Sequence, residues 1–247
     1  MRSSIAAFAL AAAALTVAAP VIAQSSGGAI AAAVADTARP EADRARDENR
    51  KPAQVVEFAG VKPGQVVAEL APGGGYYTRI LARAVGPQGH VYALVPAALA
   101  QRPGAMDAIN AIAAQYGNVT VLTADYTNFT LPRQADLVWT TENYHDFNNG
   151  PTANPQGIAK AVFAALKPGG VFFVEDHSAP GTGTSATSTL HRIDPAAVIS
   201  QVTSAGFRLD AQSDLLANRE DTHTVAAHDA SIRGKTDKFA LRFKKPA

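Results

Sequence analysis

From Gln65 to Glu175 short apolar runs alternate with stretches of helical periodicity, and no other feature restricts the fold of this chain as strongly. "QVVAEL", "GHVYALV", "VTVLTAD", "ADLVWTT" and "VFFVE" read as strands. Between them "YYTRILARAVG", "PGAMDAINAIAAQYG" and "NPQGIAKAVFAALKPGG" read as helices, the last with "KPGG" as its stop signal. Strands this apolar are buried on both faces, which calls for a mostly parallel sheet with helices above and below it. "DPAAVISQVTSAGF" predicts a further helix with an Asp cap and Pro195 at its first position. "RLDAQSDLL" and "DKFALRFKKP" then follow with only a polar excursion between them, so a hairpin adds an antiparallel strand. The expected fold is α/β, a doubly wound, mostly parallel, Rossmann-like sheet with an antiparallel C-terminal hairpin strand.

Ahead of this unit, "MRSSIAAFALAAAALTVAAPVIAQ" has one positive charge at Arg2, an apolar stretch from Ile5 to Ala19, and the short residues Val21 and Ala23 before a cut. It reads as a cleaved secretory signal over residues 1–23. The apolar stretch is shorter than the roughly 20 residues a spanning helix needs, so no stable membrane insertion is expected after cleavage. Residues 24–52 form an N-terminal extension, partly helical, and 53–247 a single domain. Within the extension "QSSGGAIAAAVA" is expected as a loose terminus or a frayed helix, and the mixed charges of "TARPEADRARDENRKP" as a solvated helix face. There is no cysteine, which excludes disulfides and thiolate metal sites. A net charge of +1 argues against a nucleic-acid partner, which needs clustered basic residues. The expected partner is a small-molecule substrate; oligomeric state is not legible.

"ELAPGGGYYT", residues 69–78, is the first strand-to-helix turn. In a doubly wound sheet that turn lies at the ligand-binding edge. Gly73, Gly74 and Gly75 permit close backbone approach, although a turn needing glycine for steric reasons alone is the other reading. The spacing, acidic-x-Ala-x-Gly-x-Gly, is not the dinucleotide fingerprint. The acid would repel a pyrophosphate but suits an amino group or a ribose, which points away from a nicotinamide dinucleotide.

"VAELAPGGGYYTRIL" resembles the first motif of class I S-adenosylmethionine-dependent methyltransferases, with Ala71 in place of the first glycine. The longer runs "KPAQVVEFAGVKPGQVVAELAPGGGYYTRILARAVGPQGHVYALVP", "ADLVWTTENYHDF" and "LKPGGVFFVEDHSA" resemble an exported bacterial group of predicted methyltransferases. The resemblance covers roughly residues 40–247. It implies a seven-stranded methyltransferase sheet, S-adenosylmethionine as cofactor and methyl transfer to a small molecule. It also implies that Glu69 reaches the methionine part indirectly or through water, that Ala71, Gly73, Gly74 and Gly75 form the cofactor loop, that Asp125 approaches the adenine amino group, and that Glu142, counted with these as cofactor-binding, lies after the fourth strand where catalytic and substrate-facing groups often sit. For Asp125 an Asx-type turn cap is the equal alternative. Where the family carries a ribose-binding acid at the end of the second strand, this chain has Val95 followed by Pro96. Losing that hydrogen-bond pair would cost roughly 1.5 to 3 kcal/mol of cofactor affinity.

Three polar clusters fall just past strand ends: "ENYHDF", "EDHS" and "LHRID". They can bring His145, Asp146, His177, His191 and Arg192 together above the glycine loop. His145 or His177 is the candidate general base, oriented by Asp146 or Glu175, and His145, Asp146 and His177 are the catalytic candidates. A divalent ion held by His145, His177 and Asp146 or Asp176 is the competing reading. The sequence has no compact His-x-x-x-His spacing, and no metal ligands are assigned from it. Tyr76, Tyr77, Tyr144 and Phe147 can wall a pocket or pack in the core; Trp139 is expected in the core, and "PGTGTSATST" as a lid or a plain surface loop. The alternative to methyl transfer is a periplasmic hydrolase or ligand-binding protein on the same fold.

Overall fold

A computed structural model describes residues 25–247. The leader reading over 1–23 lies outside the described residues. Seven strands form one sheet: β1 (Val66–Leu70), β2 (His90–Pro96), β3 (Val119–Ala124), β4 (Ala135–Thr141), β5 (Leu166–His177), β6 (Arg208–Ser213) and β7 (Lys238–Lys244). Their spatial order is β3-β2-β1-β4-β5-β7-β6. The first five are parallel, and β7 runs antiparallel to both β5 and β6. Strand order reverses between β1 and β4, so the crevice beyond their carboxyl ends is the ligand-binding edge of this topology.

Every residue of β1 is buried, which requires cover on both faces. One face packs Val67, Trp139 and Phe173 against helices Pro52–Ala59, Tyr76–Val85 and Asp107–Tyr116. The other packs Ala68, Val138 and Phe172 against helices Pro155–Ala165 and Pro195–Thr203. Trp139 is fully buried, as its sequence context predicts. Among the described residues no helix is long and apolar enough to cross a membrane.

Three local expectations give way to the structure. "KPGG" does not stop the helix: Pro155–Ala165 ends first, and β5 runs through Lys167–Gly170 because Lys245 receives a hydrogen bond from Gly169 N and donates one to Gly170 O. "QSSGGAIAAAVA" is neither loose nor frayed. Helix Ser26–Val34 is capped by Ser25, whose hydroxyl accepts from Gly28 N, and it buries Ala29, Ile30 and Ala33.

The charge run that follows is solvated on one side only: Glu41, Arg44, Arg46 and Glu48 are exposed, while the other side is turned inward. Arg39 is buried and makes a two-pronged ion pair with Asp47 at 2.8 and 2.6 Å. Asp43 is buried too, pairing with Arg46 at 2.6 Å and with Arg79 of helix Tyr76–Val85 at 3.1 Å. Charges so well matched in geometry tolerate burial, so the run folds down over the start of that helix. The guanidinium groups of Arg46 and Arg50 stack 4.8 and 4.4 Å from the centre of the Tyr76 ring.

Candidate active site

The turn after β1 takes its shape from left-handed backbone. Gly73 has φ +54°, and Gly75, at the cap of helix Tyr76–Val85, has φ +78°. Ala71 has φ +51°, which explains why a glycine occupies the equivalent place in the motif it resembles. A Cβ on Gly73 or Gly74 would meet nothing within 4 Å, so the loop backbone borders open space. Beneath it Glu69 is buried and accepts a hydrogen bond from the Thr78 hydroxyl at 2.6 Å. Burial pushes the Glu69 carboxyl up to about 7, with Thr78 and Arg50 opposing the rise. The loop is stitched to β2 by Ala71 N, which donates to Leu94 O at 3.0 Å and to the Tyr126 hydroxyl at 2.7 Å. The same hydroxyl donates to Leu94 O at 2.6 Å.

Glu142, just past β4, has φ +55°, a strained conformation of the kind found at functional sites. Its carboxylate is held by two cations that sequence reasoning missed. Arg50 pairs with one oxygen, and Lys238 Nζ donates to the other at 2.9 Å. Burial favours the neutral acid, but Lys238 and Arg50 outweigh it and hold Glu142 well below the usual carboxylate range. The same lysine lies 3.6 Å from Glu175, whose carboxyl burial raises to about 7. The signals were a lysine directly before the apolar run "FAL" and an arginine just before the αL residue Lys51.

The histidines converge, though not with the predicted partner. His145 sits on the 3-10 turn Tyr144–Asn148, and Asp176, fully buried at the end of β5, accepts from its backbone N at 2.7 Å. Asp176 also meets His145 Nδ1 at 2.9 Å, which turns Nε2 toward Asp146 at 3.4 Å. Asp176 is therefore the orienting carboxylate, not Asp146, which is exposed, or Glu175, which faces Lys238. Burial lowers the affinity of His145 for its proton, but Asp176 reverses the balance and raises it above the ordinary value. His177 behaves oppositely: burial lowers it to about 4, and its Nδ1 is 2.8 Å from the Thr236 hydroxyl. The ring of His145 lies 6.2 Å from that of His177 and 5.4 Å from that of His191.

Arg192 does not join them. It is fully buried in an ion pair with Asp221 at 2.7 Å. Asp125 is exposed and accepts from Thr127 N at 2.9 Å and the Thr127 hydroxyl at 2.8 Å, the geometry of an Asx turn cap. Val95 is buried near the end of β2, with Thr123 as its neighbour on β3. Tyr144 and Phe147 pack in the core, and Tyr76 and Tyr77 do both, buried in the core on the other face of the sheet and bordering a cavity. In "PGTGTSATST", Gly181 and Gly183 donate to Asp194, which anchors the loop.

Two cavities meet at these residues. One of about 350 Å³ lies against the glycine loop and is bordered by Glu69, Ala71, Gly73, Gly74, Tyr77 and Asn143. The other, about 540 Å³, is lined by His145, Asp146, His177, His191, His228 and Lys238. Arg46, Arg50 and Glu142 line both. A charged wall is thus shared between a loop-side chamber and a histidine-side chamber.

Comparison with known proteins agrees with this geometry. Residues 68–174 match the family model described as a methyltransferase domain. A protein-L-isoaspartate O-methyltransferase of Ignicoccus hospitalis is 32% identical over 132 residues, covering 52% of this chain and 55% of that protein. The chain thus spans about half the length of the curated relative it matches. A SAM-dependent methyltransferase from Aquifex aeolicus superposes with a TM-score of 0.56 at 17% identity, covering 81% of this chain and 97% of that one. The [4+2]-cyclase SpnF does so with a TM-score of 0.61 at 14% identity, over 92% and 98% respectively. At these identities the structural likeness establishes the fold.

Proposed function

We propose, from the premise that the chain carries a domain of the class I S-adenosylmethionine-dependent methyltransferase family, that it transfers a methyl group from S-adenosylmethionine to a small molecule bound in the histidine-lined cavity. One observation carries the reading. The open glycine loop at the switch point of the sheet and the histidine cavity adjoin at Arg50 and Glu142, which line both, so a donor and an acceptor would lie side by side.

The residues fit the amino-acid end of the cofactor. Gly73 and Gly74 leave room at the loop, Arg46 and Arg50 supply cations for a carboxylate, and Glu142 supplies an anion for an ammonium group. At the ribose end Val95 offers no hydrogen-bond acceptor in its side chain, so affinity is expected about ten- to a hundredfold below that of a site with a carboxylate there. When bound, the cofactor supplies an electrophilic methyl group on a sulfonium.

The chain's own groups prepare the acceptor. Asp176 fixes the His145 ring so that Nε2 is the free nitrogen, and its negative charge stabilises the protonated ring once a proton is taken from a hydroxyl, thiol or amine. His177, neutral at physiological pH, borders the same space as a hydrogen-bonding group. Glu142, with Arg50 and Lys238, fixes the charge of the wall between the chambers. Glu69 acts indirectly, holding Thr78 and the first turn of the helix behind the loop. That the enzyme works outside the cytoplasm belongs to the same proposal and rests on the leader-like residues 1–23.

Calorimetric titration of the purified protein with S-adenosylmethionine and S-adenosylhomocysteine tests the reading. Saturable one-to-one binding of both is expected, and no binding at about 1 mM, a free energy of only about −4 kcal/mol, would sink it.

A further inference from the structure

We propose that His145, Asp146 and His191 bind a divalent transition-metal ion, zinc in the simplest case, at the mouth of the histidine cavity. Ligand atoms from these three side chains all lie within 4.8 Å of one another. Around a zinc ion with bonds of about 2.0–2.2 Å such atoms stand somewhat more than 3 Å apart, so the cluster needs only a small contraction. The side chains free to make it are Asp146, 55% exposed, and His191, 40% exposed. His145, 4% exposed, is the fixed ligand.

What separates this cluster from a chance meeting of polar groups is the support behind it. His145 Nδ1 contacts the buried carboxylate of Asp176 at 2.9 and 3.1 Å, and the His145 backbone N donates to the same group. A carboxylate behind a histidine fixes the tautomer and leaves Nε2 as the donor, the arrangement that orients metal-bound histidines. That Nε2 points to Asp146 at 3.4 Å, and the same Asp146 oxygen lies 3.9 Å from His191 Nδ1. His191 takes φ +51° as the left-handed cap of the short helix Thr187–Leu190. Three of the cavity's cations are turned to carboxylates, Arg50 and Lys238 to Glu142 and Arg46 to Asp43, and a fourth, Arg233, donates its Nε to the His228 carbonyl at 3.1 Å.

Two imidazoles and one carboxylate leave at least one coordination position open toward the cavity, as in catalytic rather than structural zinc sites. His228, whose ring lies 4.8 Å from that of His191, is a further donor at that opening. The ligand class that fits there is a small molecule offering an ionisable oxygen or sulfur. Bound to the ion, it would release its proton to solvent near neutral pH, so with metal present the ion takes over from His145 the task of generating the nucleophile. This last point rests on the methyl-transfer reading; the metal site itself does not.

The test uses purified, untagged protein treated with a chelator and titrated with zinc chloride, followed by cobalt(II) as a spectroscopic substitute. One equivalent of zinc is expected to bind, with visible cobalt absorption typical of nitrogen and oxygen ligands. His191→Ala is on a partly exposed ligand and leaves the fold intact by thermal unfolding; it should weaken binding at least about tenfold. Asp176→Asn removes no ligand and should still weaken binding about 10- to 100-fold, which a merely structural carboxylate would not do. No zinc binding at about 100 μM, or unchanged affinity in both His191→Ala and Asp146→Asn, would overturn the proposal. Retained zinc binding with no binding of S-adenosylmethionine would defeat the methyl-transfer reading and leave the metal site standing; the reverse result would do the opposite.

Discussion

Glu69→Gln isolates the consequence of burying a carboxylic acid beneath the glycine loop. The folded protein holds the Glu69 carboxyl at about 7 against an ordinary 4.5. Below the ordinary value both states are protonated and the group is neutral toward stability. Between the two values the unfolded chain releases a proton that the folded chain retains, so stability falls as pH rises, and the loss is complete above about 7. Holding the proton from pH 4.5 to about pH 7, at about 1.4 kcal/mol per tenfold change in proton activity, gives about 3 kcal/mol lost between pH 4.5 and pH 8. Glutamine cannot ionise, keeps an oxygen to accept from Thr78, and removes this slope. Glu175 also titrates near 7, but it faces Lys238 and Glu142, not Glu69, so it contributes alike to both proteins and cancels in the difference. Denaturant unfolding of wild type and variant at half-unit steps from pH 4 to 8.5 is the assay. The variant should gain on the wild type by about 3 kcal/mol across that range, most steeply between pH 5 and 7. Parallel stability curves would refute the assignment of a buried, protonated Glu69.

Ala71→Gly relieves a left-handed alanine that costs about 1–2 kcal/mol, against about 0.5–1 kcal/mol for glycine's greater freedom when unfolded. A gain of about 0.5–1 kcal/mol in denaturant unfolding is expected; a loss would show that the Ala71 methyl contributes packing. Arg50→Ala strips a cation from the wall shared by the two chambers and should weaken S-adenosylhomocysteine binding about ten- to a hundredfold by calorimetry. A change under about threefold would remove Arg50 from the cofactor site. The leader reading predicts that protein recovered from the periplasm begins at Gln24 by intact mass, and recovery there with residues 1–23 attached would contradict it.

The sheet was legible because its strands are apolar enough to need cover on both faces, and strand placement follows from that need alone. The glycine loop was legible because left-handed backbone leaves a compositional trace at Gly73 and Gly75. The wall of the site was not. Arg50 belongs to a run whose charges look solvated until Arg39, Asp43 and Asp47 find one another in three dimensions. Lys238 lies 96 residues from the carboxylate it neutralises, and no local pattern reports a partner at that distance. Asp176 was named beside Glu175, but the alternation of a strand puts the two on opposite faces: Glu175 turns to Lys238 and Asp176 to His145. A shift of one residue decides which acid orients the base.

The insertion of β7 between β5 and β6 also fixes a timetable. A nascent chain that has emerged only as far as Leu216 already contains all five parallel strands, the glycine loop and both carboxylates, Glu142 and Glu175. It lacks the lysine that makes their burial tolerable. Until Lys238 arrives and the last strand wedges into place, two acids near the sheet centre repel each other with Arg50 alone between them. The charge balance of the two-chamber site therefore depends on the last of the seven strands in sequence order, which lies inside the sheet rather than at its edge.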